Sequence, residues 1–246
     1  MKLEGKVAVV TGTSPNIGGG IAGGLADEGA TVVCVDVVAD NAEQCAAWIT
    51  KRGGRALGIP CDVTDEAQVQ AMVDGTIEAH GRLDVLVNNA GLGGTADLVD
   101  MTDDQWHRVL DISLTGTMRC MRAALRHMYG AGGGVIVNNA SVMGWRAQAG
   151  QSHYAAAKAG VMALTRCAAI EAAAHGVRIN AVAPSLAMHA FLSKVTTDEL
   201  LEELTEREAF GRAAEPWEVA TVIAFLASDY STYMTGEVVS VSNQHA

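Results

Sequence analysis

The chain has 246 residues, 49% apolar and only 4% aromatic, which suits one large α/β domain with a core of Ala, Val, Leu, Ile and Met. A net charge of −11 without basic runs argues against nucleic acid or an anionic membrane as partner. Five scattered cysteines without a CxxC pair, and seven histidines without an HExxH motif, argue against a disulfide framework or a metal centre. No segment approaches a membrane span, so a cytoplasmic protein with reduced thiols is expected.

Strand-length apolar runs alternate with longer helical patterns. VAVVT (7–11) reads as a strand, 18–29 as a helix, TVVCV (31–35) as a strand and 41–53 as a helix. RALGIP (55–60) is a short strand, 65–81 a helix ending at Gly81, and DVLVN (84–88) a strand. The spacing predicts one long helix over 103–129, opened by Thr102 with Asp103 and Asp104 in its first turn. GVIVNNA (134–140) is a strand, 152–175 an Ala-rich helix before Gly176, and VRINAVA (177–183) a strand. Helices at 197–209 and 216–228 precede a last strand, EVVSV (237–241). The strands are β-branched and nearly continuous, as in parallel strands buried on both faces. The alternation implies right-handed crossovers and a doubly wound, Rossmann-type sheet of seven mostly parallel strands, in a single domain over 1–246. Ligands of such sheets sit beyond the strand C-terminal ends, which here carry Gly12, Asp36, Asp62, Asn88 to Gly91, Ser141 and Pro184.

Residues 11–20 read TGTSPNIGGG, between the first strand and the first helix, and form a candidate pyrophosphate turn. Gly12 supplies positive φ. Pro15 and Asn16 suit the central positions of a type II turn, with Asn16 taking the positive φ that a glycine usually takes. Gly18 to Gly20 let the helix start close to strand and ligand. Asp36 closes the second strand, 24 residues after Gly12. A carboxylate there can accept from both adenosine ribose hydroxyls and repels a 2′-phosphate, which favours NAD over NADP. The alternative reading of Asp36 is a simple cap.

Ser141, Tyr154 and Lys158 form the sharpest constellation. Tyr154 and Lys158, four apart on a helix, share one face. A nearby ammonium favours tyrosinate and is expected to lower the phenol towards neutrality, where it serves as general acid or base. Ser141, at a strand end, is placed to hold a substrate oxygen by hydrogen bond.

Together these residues resemble the short-chain dehydrogenase/reductase family of the short single-domain type. The resemblance covers nearly the whole chain. It rests on Thr11-Gly12, Asp36, Asp62-Val63, Asn88-Asn89-Ala90-Gly91, Ser141, Tyr154, Lys158, Pro184 and the C-terminal stretch 211–238. It implies that Gly12, Ser14, Asn16, Ile17 and Gly18 cradle the pyrophosphate, and that Asp62 and Val63 contact adenine. It also implies that Asn89, Ala90, Gly91, Pro184 and Ala187 line the cofactor groove. Lys158 would bind the nicotinamide ribose, Tyr154 would exchange a proton with the substrate oxygen, and Ser141 would orient that oxygen. A homotetramer, built partly through 103–129 and 152–175, is implied as well.

The chain departs from the family pattern at Asn16, at Ser113 where an Asn usually supports a relay to the lysine, at Ser185, at His189, and at VSNQ (241–244). Serine is shorter than asparagine, which leaves the part played by Ser113 open. A substrate lid is expected over about 185–212. Met188 and Phe191 there, with Trp145 and His153, are candidate substrate contacts, and the bulky apolar groups favour a hydroxyacyl thioester or a fused-ring alcohol. The leading expectation is an NAD(H)-dependent oxidoreductase interconverting a secondary alcohol and a ketone. A sugar or polyol dehydrogenase, or an NAD-binding sensor or scaffold without catalysis, are the alternatives.

Overall fold

The structure, a computed structural model, describes residues 2–187 and 198–243. Its strands are β1 (Val7–Thr11), β2 (Thr31–Asp36), β3 (Arg55–Pro60), β4 (Val85–Asn88), β5 (Gly134–Asn139), β6 (Val177–Pro184) and β7 (Val238–Val241). They form one sheet in the order β3-β2-β1-β4-β5-β6-β7, and every pair is parallel. The strand order reverses between β1 and β4, which opens a crevice at their C-terminal ends.

The helices are α1 (Ile17–Asp27), α2 (Ala39–Lys51), α3 (Glu66–His80), α4 (Asp103–Leu110), α5 (Gly116–Ala131), α6 (Ser152–Ala173), α7 (Asp198–Arg207) and α8 (Pro216–Ala227). Alternate strand residues feed two cores. Ala8, Val10, Val32 and Cys34 pack with residues of α1, α2 and α8, whereas Val7, Val9, Val33 and Val35 pack with α3, α5 and α6. This two-sided burial is why the strand sequences lack polar alternation. The glycines of α1 are contact residues: a Cβ on Gly20 would lie 2.5 Å from Pro216 Cβ, and one on Gly24 2.8 Å from Ala220 Cβ. They let α1 and α8 approach closely behind the first turn.

Residues 103–129 lie in one continuous helical run, as expected, widened midway by a π-helical turn. α4 runs from a Thr102–Gln105 capping box into a π-helical turn, Asp111–Thr115, before α5 resumes. Gly81 and Gly132 end α3 and α5 in the left-handed conformation. Cys34, Cys45, Cys61 and Cys120 are buried and Cys167 is exposed. Among the described residues no helix is long and apolar enough to cross a membrane.

Candidate active site

The turn after β1 is built by its own backbone. Gly12 has φ +72°, and a Cβ there would lie 2.9 Å from Ala90 Cα. A Cβ on Gly18 would overlap the Gly12 carbonyl oxygen. Asn16 does not take the expected positive φ. Its φ and ψ are −147° and −149°, and no described non-glycine residue has positive φ. Instead its side chain caps α1: Oδ1 accepts from the Gly18 N–H at 2.9 Å and Nδ2 donates to Ser14 Oγ at 2.6 Å. The first turn of α1 carries no acidic side chain. α1 itself therefore sets no carboxylate against its positive end, which favours an anion such as pyrophosphate there.

Asp36 is 6% exposed, and its carboxylate is already engaged locally. Oδ2 accepts from the Ser14 N–H at 3.0 Å; Oδ1 accepts from the Val38 N–H at 3.0 Å and from Asn41 Nδ2 at 3.2 Å. It thus ties the first turn to the start of α2, and the capping reading of this residue holds in part. Lone pairs remain for ribose hydroxyls. Asp62 serves its own loop, accepting from the Thr64 N–H and hydroxyl at 2.8 and 2.7 Å, while Val63 is buried against Gly116.

On the far side of the crevice, Asn89 Nδ2 donates to the Thr11 and Gly12 carbonyls at 3.0 and 2.9 Å. The Asn89 and Ala90 N–H groups both donate to Thr11 Oγ1. Gly91 faces the lysine, since a Cβ there would lie 3.5 Å from Lys158 Nζ.

Ser141 ends β5 as the cap of a short 3₁₀ turn, Val142–Gly144. Its Oγ accepts from the Met143 N–H at 3.2 Å, and its O–H points its hydrogen bond at the Tyr154 phenol. Lys158, on α6, donates to the Asn139 carbonyl at 2.7 Å, and its Nζ lies 5.6 Å from the Tyr154 ring centre. Burial pushes the lysine down to about 8. The tyrosine does not behave as expected: burial raises its phenol above the ordinary value, and only a hydrogen bond with Ser141 pulls it back. The desolvated site holds both groups towards neutrality, so lysine proximity alone does not make a tyrosinate. Ser113 is buried in the π-helical turn, where its hydroxyl accepts from the Leu92 N–H at 3.0 Å and donates to the Leu92 carbonyl at 3.2 Å. It is thereby committed to shaping the loop after Gly91.

Around this centre, Trp145 is 43% exposed, and His153 is buried with Nδ1 unpartnered and Nε2 3.2 Å from where a Gly94 Cβ would stand. His153 therefore packs under the 91–96 loop, while Trp145 stands open beyond Ser141. Pro184 ends β6, and Ala187 bridges to Ala214. Met188, His189 and Phe191 lie outside the described residues. Sequence reasoning missed Asn139 and Asn138. A signal was present: the tetrapeptide Val-Asn-Asn-Ala occurs twice, at 87–90 and 137–140. The sheet pairs the two copies in register, Val87 with Val137 and Asn88 with Asn138.

A family model described as enoyl-(acyl carrier protein) reductase matches residues 12–243. The chain belongs to the short-chain dehydrogenase/reductase family. One relative in this family, from Mycobacterium tuberculosis, is 62% identical over 99% of this chain and 94% of its own length. It is a (5R,7aS)-5-hydroxy-7a-methyl-1-oxo-2,3,5,6,7,7a-hexahydro-1H-indene-carboxyl-CoA reductase. A cis-4-hydroxycyclohexanecarboxylate dehydrogenase from Sinomonas cyclohexanicum is 45% identical over 96% of this chain and 94% of its own length. Among solved short-chain dehydrogenase/reductase structures, 7 alpha-hydroxysteroid dehydrogenase complexed with NADH and 7-oxo glycochenodeoxycholic acid superposes with a TM-score of 0.95 at 30% identity, covering 100% of this chain and 96% of that one. Membership makes this chain an oxidoreductase of a nicotinamide-dependent family.

Proposed function

We propose that the protein interconverts a secondary alcohol and a ketone on an alicyclic, fused-ring acid carried as a CoA thioester, with NAD(H) as cofactor. The observation that carries the reading is the convergence of Ser141, Tyr154 and Lys158 beside a glycine-built turn that leads into a helix whose first turn carries no acidic residue. The relatives that act on ring hydroxyls and on a CoA thioester support the substrate class.

Gly12, Ser14, Asn16, Ile17 and Gly18 would hold the pyrophosphate. Asp36 would receive the adenosine ribose, Asp62 and Val63 the adenine, and Asn89 to Gly91, Pro184 and Ala187 the rest of the groove. The nicotinamide supplies or accepts hydride when bound. Ser141 Oγ donates to the substrate oxygen and fixes it. Tyr154 Oη gives that oxygen a proton in reduction and takes it back in oxidation. Lys158, anchored on the Asn139 carbonyl, would hold the nicotinamide ribose by hydrogen bond and keep its ammonium near the Tyr154 ring. Trp145, which stands exposed beyond Ser141, would cover the apolar ring.

The test is cofactor fluorescence followed by turnover of a fused-ring oxo acyl-CoA. NADH should bind at micromolar levels and NADPH much more weakly, because Asp36 repels a 2′-phosphate. Tyr154→Phe should keep NADH binding and lower kcat by at least about a hundredfold. Equal binding of both cofactors removes the NAD assignment, and unchanged kcat removes the role of Tyr154. We further propose a homotetramer through the outer faces of α4, α5 and α6, where Ile170 is 81% exposed. Sedimentation velocity should give four-chain particles, and a monomer would sink the assembly.

A further inference from the structure

The paired Val-Asn-Asn-Ala segments place four asparagines at the crevice, and only part of that ladder serves the core. Asn88 Nδ2 donates to Asn138 Oδ1 at 2.8 Å, and Asn138 Nδ2 donates to Thr165 Oγ1 at 2.9 Å, all buried beneath the sheet. The second pair points elsewhere. Asn139 Nδ2 donates to Asn89 Oδ1 at 2.9 Å, and Asn89 passes the link on to the Thr11 and Gly12 carbonyls. The main-chain carbonyl of Asn139 receives Lys158 Nζ. One residue therefore touches the lysine through its backbone and, by way of Asn89, is linked to the glycine turn through its side chain, two positions before Ser141.

We infer that Asn139 is a positioning residue, which acts through Asn89 to hold the pyrophosphate turn at a fixed distance from Lys158. This rests on the dinucleotide reading of the site. Both N–H groups of the Asn89 amide are committed to the turn, so its orientation depends on an acceptor contact at Oδ1, and Asn139 supplies it. Without that donor, Asn89 Oδ1 is left unpaired in a half-buried place. Rehydrating it rotates the amide off Gly12. Stability does not explain the residue. Asn139 is 9% exposed, and its own Oδ1 is buried without a partner. An orphaned acceptor of this kind costs about as much as the one bond gains. Valine suits the end of a buried strand better.

The experiment compares the purified chain with Asn139→Val, Asn89→Ala and the double variant, measuring NADH binding by fluorescence and stability in urea. Asn139→Val should weaken NADH about tenfold, while its urea midpoint stays unchanged or rises. The double variant should bind no more weakly than Asn89→Ala alone, because the effect passes through Asn89. Three results would overturn the inference: wild-type affinity in Asn139→Val, a loss of affinity matched by a lower urea midpoint, or independent, multiplying losses in the double variant. Should Asn139→Val not fold, Asn139→Ala carries the same comparison. A wild-type chain that binds neither NADH nor NADPH overturns the dinucleotide reading itself, a separate outcome read before any variant.

Discussion

Asn16 shows how one residue type can serve two geometries. The stretch Ser-Pro-Asn-Ile fits a type II turn, yet Asn16 takes an extended backbone and uses its amide to cap α1. The two geometries predict opposite substitution orders. A left-handed position would favour glycine and penalise alanine. A cap with negative φ tolerates both backbones and loses only the hydrogen bond. Asn16→Ala should therefore cost about 1 kcal/mol and Asn16→Gly a few tenths, measured in urea. A stabilising Asn16→Gly would restore the turn reading. The candidate catalytic side chains were legible because their spacing on α6 and their place at a strand end are properties of local sequence. The state of Tyr154 was not legible. It depends on desolvation by the whole surround, which no spacing encodes.

Strands and most helices were legible in their residue patterns, since burial on both faces leaves unbroken apolar runs. The π-helical turn between α4 and α5 was not. Nothing in Asp111–Thr115 is a helix breaker, and the π-helical turn arises where Ser113 meets the Leu92 backbone from another element. The sequence pattern reads Gly18 to Gly20 as a close helix start, which holds at Gly18 against the Gly12 carbonyl, and says nothing of Gly24. Gly20 and Gly24 mark a helix contact with Pro216 and Ala220. Gly24→Val should overpack that contact and cost roughly 1–3 kcal/mol. The cost should appear as a lower urea midpoint with NADH affinity weakened alongside it. An unchanged midpoint would show that α1 and α8 can separate without loss.

At the scale of the molecule, a buried lysine makes stability depend on pH. Lys158 titrates near 8 in the fold against 10.5 in an unfolded chain, so the unfolded state binds more protons between those values. Below pH 8 the full cost of burying the ammonium is present, and the lysine's own contribution to stability climbs as pH rises through 8 towards 10.5. Lys158→Met should abolish turnover. It should also raise stability at pH 7 by up to roughly 3 kcal/mol, less the lost bond to Asn139. That gain should vanish by about pH 10.5, the unfolded value. Paired urea titrations at the two pH values check both sign and window; a gain independent of pH would place the cost elsewhere.

The close seat of α1 on α8 bears on how such a chain is made. The cofactor turn is encoded near the start of the sequence, but the helix that backs it spans Pro216–Ala227. A nascent chain still short of that helix lacks the surface against which Gly20 and Gly24 are fitted. Dinucleotide capture therefore belongs to the late stages of biogenesis, and shortened products of translation should emerge unable to compete for the cell's nicotinamide pool.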